Sequence, residues 1–139
     1  MTSEILRINP EQLHGTPGYH HVTVVEVGRL AFLAGQCPLD RSGGLVGPAD
    51  LEAQIDQVAA NALAALSAAG ARPDQVVRSV IYVVVGGDDD GALGVAWRRL
   101  TGSVIGAAFT TASTLLGVVR LGFPGQLVEV DLTASLPDA

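Results

Sequence analysis

Lysine is missing from this 139-residue chain, whose only fixed positive side chains are eight arginines set against fourteen acidic residues. The resulting net charge of -6 argues against generic binding of nucleic-acid backbones, which takes clustered Lys and Arg to displace counterions. Cysteine occurs once, at Cys37, so an internal disulfide and a multi-cysteine metal site are both excluded, and a reducing compartment fits. GxGxxG, P-loop and CxxC segments are absent, which removes the usual sequence marks of dinucleotide, phosphate and thiol-redox chemistry. No basic segment followed by an apolar core opens the chain, so the expectation is a cytoplasmic protein. The longest uncharged run, Thr101 to Val119, is nineteen residues, close to a bilayer span. Nine of those nineteen are Gly, Ser or Thr and two are Leu, so a buried strand with its approach loop is the better reading and no membrane partner is expected.

What is present is apolar and weakly charged. Hydrophobic residues make up 48% and charged residues 16%, a balance incompatible with disorder. A chain of this length folds as one domain, here taken as 1–139, and buries about 68–70% of its unfolded surface. Neither a repeat nor a low-complexity linker divides it.

Glu4 to Ile8 reads as a first strand ended by Asn9-Pro10. Val22 to Val27 and Leu30 to Ala34 are β-rich runs separated by Gly28-Arg29, a gap suited to a tight hairpin. Asp50 is placed to cap a helix, with Leu51, Ile55, Val58, Ala62 and Leu66 forming one apolar stripe. Gly70 would close that helix and Pro73 prevent its restart. Val76 to Val85 reads as a central strand buried on both faces. Asp88-Asp-Asp90 would cap a second helix with Leu93, Ala96 or Trp97, and Leu100 inward and Gly102 at its end. Strands at about Thr111 to Arg120 and Gln126 to Leu136 complete the order β-β-β-α-β-α-β-β. Helix–strand–helix–strand in mid-chain predicts an α+β fold, with helices on one face of a mixed sheet. The other face must then be covered by something outside the chain, and a subunit partner is the simple answer.

Gly28-x-Leu30-x-Phe32-x-x-Gly35-Gln36 is the first of several local patterns that occur in order. It is followed by Leu51-Glu-Ala-Gln-Ile-Asp-Gln-Val58, by Ala68-Ala-Gly-Ala71 with Val76-Val77, by Gly117-Val118 and by Leu127-Val-Glu-Val-Asp131. From about Tyr19 to Ala134 the chain thereby resembles the RidA (YjgF/L-PSP) family of small trimeric proteins. The resemblance implies a chorismate-mutase-like subunit with a mixed six-stranded sheet and two helices on one face. It implies a homotrimer whose sheets form a central barrel, with a cleft for a small-molecule ligand at each subunit boundary. Active members hydrolyse reactive imines and enamines to a keto acid and ammonia without metal or organic cofactor. In them an arginine pairs with the substrate carboxylate, a glutamate on the last strand orients water, and backbone groups near a Gly-Gln turn hold the rest.

Carried onto this chain, the turn is Gly35-Gln36, the water-orienting acid is Glu129, and a backbone contact falls at Leu115. An aromatic near the hairpin start corresponds to Tyr19 or, with a shifted gap, to His21. The arginine position falls at Ser113. Arg120 lies seven residues further on, and in a strand an odd offset reverses the face. A charge-assisted hydrogen bond contributes on the order of 1.5–3 kcal/mol and a bidentate pair more, so its loss weakens carboxylate binding by roughly a hundredfold. A hydroxyl at Ser113 or Thr114 can bond a neutral polar ligand but cannot neutralise a carboxylate. The expectation is an inefficient deaminase of amino-acid-derived imines.

Plainer readings stand beside each of these. Glu129 alternates with aliphatics and could be an acid at a solvent edge; Asp131 on the same face reads as a rim carboxylate. His20 and His21 are adjacent, so in a strand they face opposite ways and could not chelate one ion, while His14 is distant in sequence. Cys37 has no base nearby in sequence and reads as a small buried hydrophobe. Asp88 to Asp90 needs no metal to explain it, and Ser113 sits in no GxSxG elbow. Two function classes therefore remain: a hydrolase of imine, enamine or related adducts, and a non-catalytic binding or regulatory trimer using the same cleft. An RNA-cleaving or translation-inhibiting activity, ascribed to some family members, is disfavoured by the acidic charge and absent lysine.

Overall fold

The computed structural model describes residues 4–26, 28–87 and 91–136. Eight regular elements follow in the expected order: β1 (Ile5–Ile8), β2 (Val22–Val25), β3 (Arg29–Phe32), α1 (Leu51–Ala69), β4 (Val76–Val84), α2 (Ala92–Thr101), β5 (Ala112–Val118) and β6 (Val128–Leu136). Short 3-10 turns at Pro73–Gln75 and Gly106–Phe109 lead into β4 and β5.

Helix α1 starts where Asp50 accepts a hydrogen bond from the Ala53 amide at 3.1 Å, satisfying one of the free donors of the first turn. It ends at Gly70, whose φ of 82° favours a residue without Cβ. Ile55, Val58, Ala62 and Leu66 of the stripe are fully buried. Gln54 is buried as well, an exception to the apolar pattern. Its amide donates to the carbonyls of Gly47 and Gly125, and its oxygen accepts from the Leu127 amide at 2.8 Å. One helix side chain thereby anchors the loop that delivers β6. In α2, Ala96 and Leu100 are buried and Gly102 ends the helix. Asp88 to Asp90 lie outside the described residues, so their assignment as its cap has no structural counterpart here.

Strands β3, β6, β4 and β5 form one sheet in that order. β4 and β5 run parallel, which requires a crossover, and α2 is that crossover. The helices cover one face. Ser79, Ile81 and Val83 of β4 and Val128, Val130 and Leu132 of β6 are at most 1% exposed beneath them. The alternate residues Val80, Tyr82 and Val84 are only half-buried, so β4 is not covered on both faces as the aliphatic run suggested. One helical layer is available, and a continuous run does not reveal whether a second exists.

The hairpin across Gly28-Arg29 is also corrected. β2 pairs with β1, Ile5 opposite Val25 and Ile8 opposite Val22. β3 pairs with β6, Arg29 opposite Leu136. Among the described residues the sheet is thus four-stranded with a separate two-stranded ribbon, not six-stranded; period-two alternation marks a strand but not its partner. Val27, assigned to the second strand, lies outside the described residues. The ribbon and β3 leave apolar side chains in solvent: Leu6, Ile8, Val22, Val24, Leu30 and, at 76% exposure, Phe32. Among the described residues no helix is long and apolar enough to cross a membrane, and Thr101 to Val119 folds as a helix end, a 3-10 turn and β5.

Replacing Asp50 with Ala is expected to lower unfolding free energy by about 1 kcal/mol, the usual contribution of a side-chain cap. Urea denaturation followed by circular dichroism measures it; no change would mean that the cap is idle.

Candidate functional site

Alternation along β6 sends Val128, Val130 and Leu132 under the helices and Glu129 and Asp131 to the other face. Glu129 stands opposite Tyr82 of β4. The turn after β3 comes alongside because Gln36 and Val130 exchange backbone hydrogen bonds at 2.7 and 3.1 Å. That pairing brings Gly35 against the Glu129 carboxylate. A Cβ on Gly35 would stand 2.2 Å from Oε2 of Glu129 and 2.7 Å from its Cδ, so the absent side chain is what makes room for the acid. Cys37 donates its thiol to Oε1 of Glu129 at 3.2 Å, and the Gln126 amide donates to the same oxygen at 3.1 Å. Burial pushes the Cys37 thiol from 9.0 up to about 11; the bond to Glu129 and its charge add to this, and Gln126 opposes it. The thiol is therefore a neutral donor at physiological pH and not a nucleophile.

A second group assembles on the helix side. Pro17, Tyr19, Gly94, Trp97, Ser113 and Leu115 line a cleft of about 360 Å³. Ser113 lies beside Ser79 across the parallel β4–β5 ladder. Their hydroxyls are 2.5 Å apart, and Ser113 also donates to the Thr111 carbonyl at 3.0 Å. Tyr19 stacks edge-on against Trp97, ring centroids 6.1 Å apart. None of the six lining residues is charged. Arg98 reaches over Gly94, its Nη1 3.1 Å from where a Cβ there would stand, and lines a separate cleft with Glu52, Val95 and Arg99.

The two groups occupy opposite faces of the sheet. Ser113 and Leu115 align with Ser79 and Ile81, which align with Leu132 and Val130, all on the helix side; Glu129 belongs to the alternate set. Within one chain the structure thus brings Gly35, Gln36 and Glu129 together, and Tyr19, Ser113 and Leu115 together, but does not join them. Thr114 goes with neither cluster: it is exposed on the open face, where Arg78 donates to its hydroxyl at 2.6 Å. Gln36 turns its side-chain amide back to the Ala34 carbonyl, so its contribution beside Glu129 is backbone.

Of the two aromatic candidates, Tyr19 lines the cleft and His21 stands behind it. His21 donates through Nε2 to the His14 carbonyl at 2.8 Å and packs edge-on against His14 and Tyr19. His20 donates through Nδ1 to the Thr110 carbonyl. Among the described residues no group of three His, Cys, Asp or Glu side chains could hold a metal ion. Sequence reasoning missed Gln126 and the contact of Cys37 with Glu129, because both depend on the turn after β3 docking onto β6. Of the alternatives Ala96 and Trp97 for the inward position of α2, Ala96 is buried and Trp97 lines the cleft.

Known proteins supply an independent comparison. The family described as Endoribonuclease L-PSP matches residues 12–136. Protein DfrA of Myxococcus xanthus is 32% identical over 116 residues, 84% of this chain and 83% of that protein. The crystal structure of YyfB from Yersinia pestis, described as a protein of unknown function of the conserved Rid family, is similar at TM-score 0.82. That likeness comes with 33% identity over 98% of this chain and 100% of that one. Rv2704 of Mycobacterium tuberculosis, a member of the YjgF/YER057c/UK114 family, is similar at TM-score 0.54 and 26% identity, over 96% of this chain and 100% of that one.

Two outcomes follow from the geometry around Glu129. Gly35→Ala forces a Cβ into the carboxylate and is expected to cost about 1–3 kcal/mol of stability, as overpacking does, read by chemical denaturation; an unperturbed midpoint would mean that Glu129 simply swings away. The thiol of Cys37 has a higher pKa folded than unfolded, so its stabilising contribution is complete below about 9 and lost as pH rises through about 11. Between those values the wild type should lose thermal stability more steeply than Cys37→Ser, which cannot titrate there. Parallel curves would refute the raised value.

Proposed function

Since the chain belongs to the RidA/YjgF/L-PSP family, we propose that it is a cytoplasmic homotrimer with a small-molecule cleft at each subunit seam, where it hydrolyses an imine or enamine adduct recognised without a carboxylate grip. In that reaction water adds to the carbon of the C=N bond, the C–N bond breaks, ammonia leaves and a carbonyl remains. No electrons change hands and no cofactor takes part. The chain must supply a base that orients water and takes its proton, and a pocket that excludes competing solvent.

The observation that carries this reading is the state of Glu129. It is half-buried, fixed by two donors at one oxygen, and pressed against a glycine at the other. A merely solvated edge carboxylate does not require a glycine opposite it. The other half of the structure supports association between copies. The apolar residues of the ribbon and of β3 face solvent in a single copy, and an exposed apolar patch is the ordinary mark of an association surface. Assembly would also set the Glu129 of one copy beside the Tyr19–Ser113–Leu115 cleft of a neighbour, joining two half-sites that a single chain holds apart.

Ser113 at the family's arginine position bears on substrate. Its hydroxyl is already engaged by Ser79 and the Thr111 carbonyl, and the cleft walls are largely aromatic and aliphatic. Such a pocket favours a neutral, partly apolar adduct over an imino acid. Because Ser113 carries no charge, the second reading is a trimer that binds the same class of ligand without turning it over.

The test uses two imines made in situ, one from a primary amine by a flavin amine oxidase and one from an amino acid by an amino-acid oxidase. Glu129→Gln is expected to lower turnover of the amine-derived imine by about a hundredfold or more, the usual loss for a general base. Unchanged turnover with altered affinity would favour the binding protein. Wild type should process the amino-acid imine poorly, and Ser113→Arg should improve it. A wild-type rate for the imino acid that falls selectively in Arg98→Ala would show that Arg98 takes the missing arginine's place.

A further inference from the structure

Glu129 is held in an asymmetric way that the proposed chemistry alone does not demand. Among the described residues both of its donors reach the same oxygen: the Cys37 thiol at 3.2 Å and the Gln126 amide at 3.1 Å, each to Oε1. A carboxylate oxygen offers two lone pairs, so Oε1 is fully used. Oε2 lies over Gly35, 2.2 Å from where a Cβ would stand, and among the described residues no donor reaches it.

The donors are themselves locked. Gln126 is 3% exposed; its amide also donates to the Val128 carbonyl at 3.0 Å, and its oxygen accepts from the Phe123 amide at 3.2 Å. The Cys37 carbonyl accepts from Asn61 of α1 at 2.9 Å, and the residue before it is tied to Val130 by the paired backbone bonds. Two separate loops, one after β3 and one before β6, thus converge on one carboxylate oxygen.

We propose that Cys37 and Gln126 are positioning residues for Glu129, occupying Oε1 so that Oε2 alone, over the backbone of Gly35, holds the attacking water. This rests on the reading of Glu129 as the group that orients water. Fixing the carboxylate plane leaves one oxygen whose direction is set by the sheet, and orientation of this kind governs turnover more than binding. The thiol suits the task because its raised pKa keeps it protonated through the neutral range. Tyr82, paired with Glu129 on β4, and Asp131, two residues along β6, are the other ionisable side chains on this face near the carboxylate.

The experiment uses the intact protein, in which Cys37 is the single cysteine and reports on itself. The pH dependence of its alkylation by iodoacetamide is measured in wild type and in Glu129→Gln, beside kcat and KM for the amine-derived imine in Cys37→Ala and Cys37→Ser. In Glu129→Gln the thiol should ionise at lower pH and react severalfold faster near neutrality; an unmoved titration would overturn the contact. Cys37→Ala should lose about tenfold in kcat at unchanged KM, whereas Cys37→Ser, which keeps a donor, should recover most of it. Equal kcat in Ala, Ser and wild-type proteins, with Glu129→Gln inactive, would overturn the positioning role and leave the role of Glu129 standing. Full turnover by Glu129→Gln would instead sink that role and the positioning with it, while the titration still decides whether thiol and carboxylate touch. If Cys37→Ala does not fold, the Ser variant and Gln126→Met, expected to lose kcat in the same way, supply the same decision.

Discussion

Everything in this molecule depends on a period of two along β6. Val128, Val130 and Leu132 close the core beneath the helices, and the residues between them are committed to the opposite face. A single helical layer leaves the alternate residues of β4 on this second face only half-buried. The strand that completes the hydrophobic core is therefore the same strand that offers a carboxylate outward. A shift of one residue would expose the core and bury the acid together, so fold and site share one register.

That constraint divides the candidate site. Glu129 with its glycine, thiol and amide lies on the open face, whereas the cleft of Tyr19, Trp97, Ser113 and Leu115 lies on the helix side. Among the described residues that line the cleft none is a carboxylate or an imidazole, and Glu129 belongs to the other face. Under the proposed trimer, subunits meeting at a seam would bring the two halves together, and the exposed apolar residues of the ribbon and β3 would drive that meeting.

Much of this was legible in the residues. The helix from Asp50 to Gly70 follows from its cap, its apolar stripe and its glycine. Glu129 and Gly35 were legible as a pair through the family resemblance, and the structure adds the reason: the acid occupies the space that a Cβ at position 35 would fill. Strand partners were not legible. The runs on either side of Gly28-Arg29 looked like a hairpin, yet β2 pairs with β1 and β3 with β6, because alternation records burial and not pairing. Gln54 and Gln126 were also invisible as structural centres. Their amides act on loops remote in sequence, and no local pattern encodes such a bond. Thr114 lies on the face opposite its neighbour Ser113, where Arg78 donates to its hydroxyl.

The central claim is that three copies share the open face and build their sites at its edges. Sedimentation equilibrium of the intact protein at micromolar concentration tests it most directly. The account predicts a single species of three times the 14.2 kDa chain mass. A stable monomer at that concentration would leave Glu129 without its cleft and contradict the account.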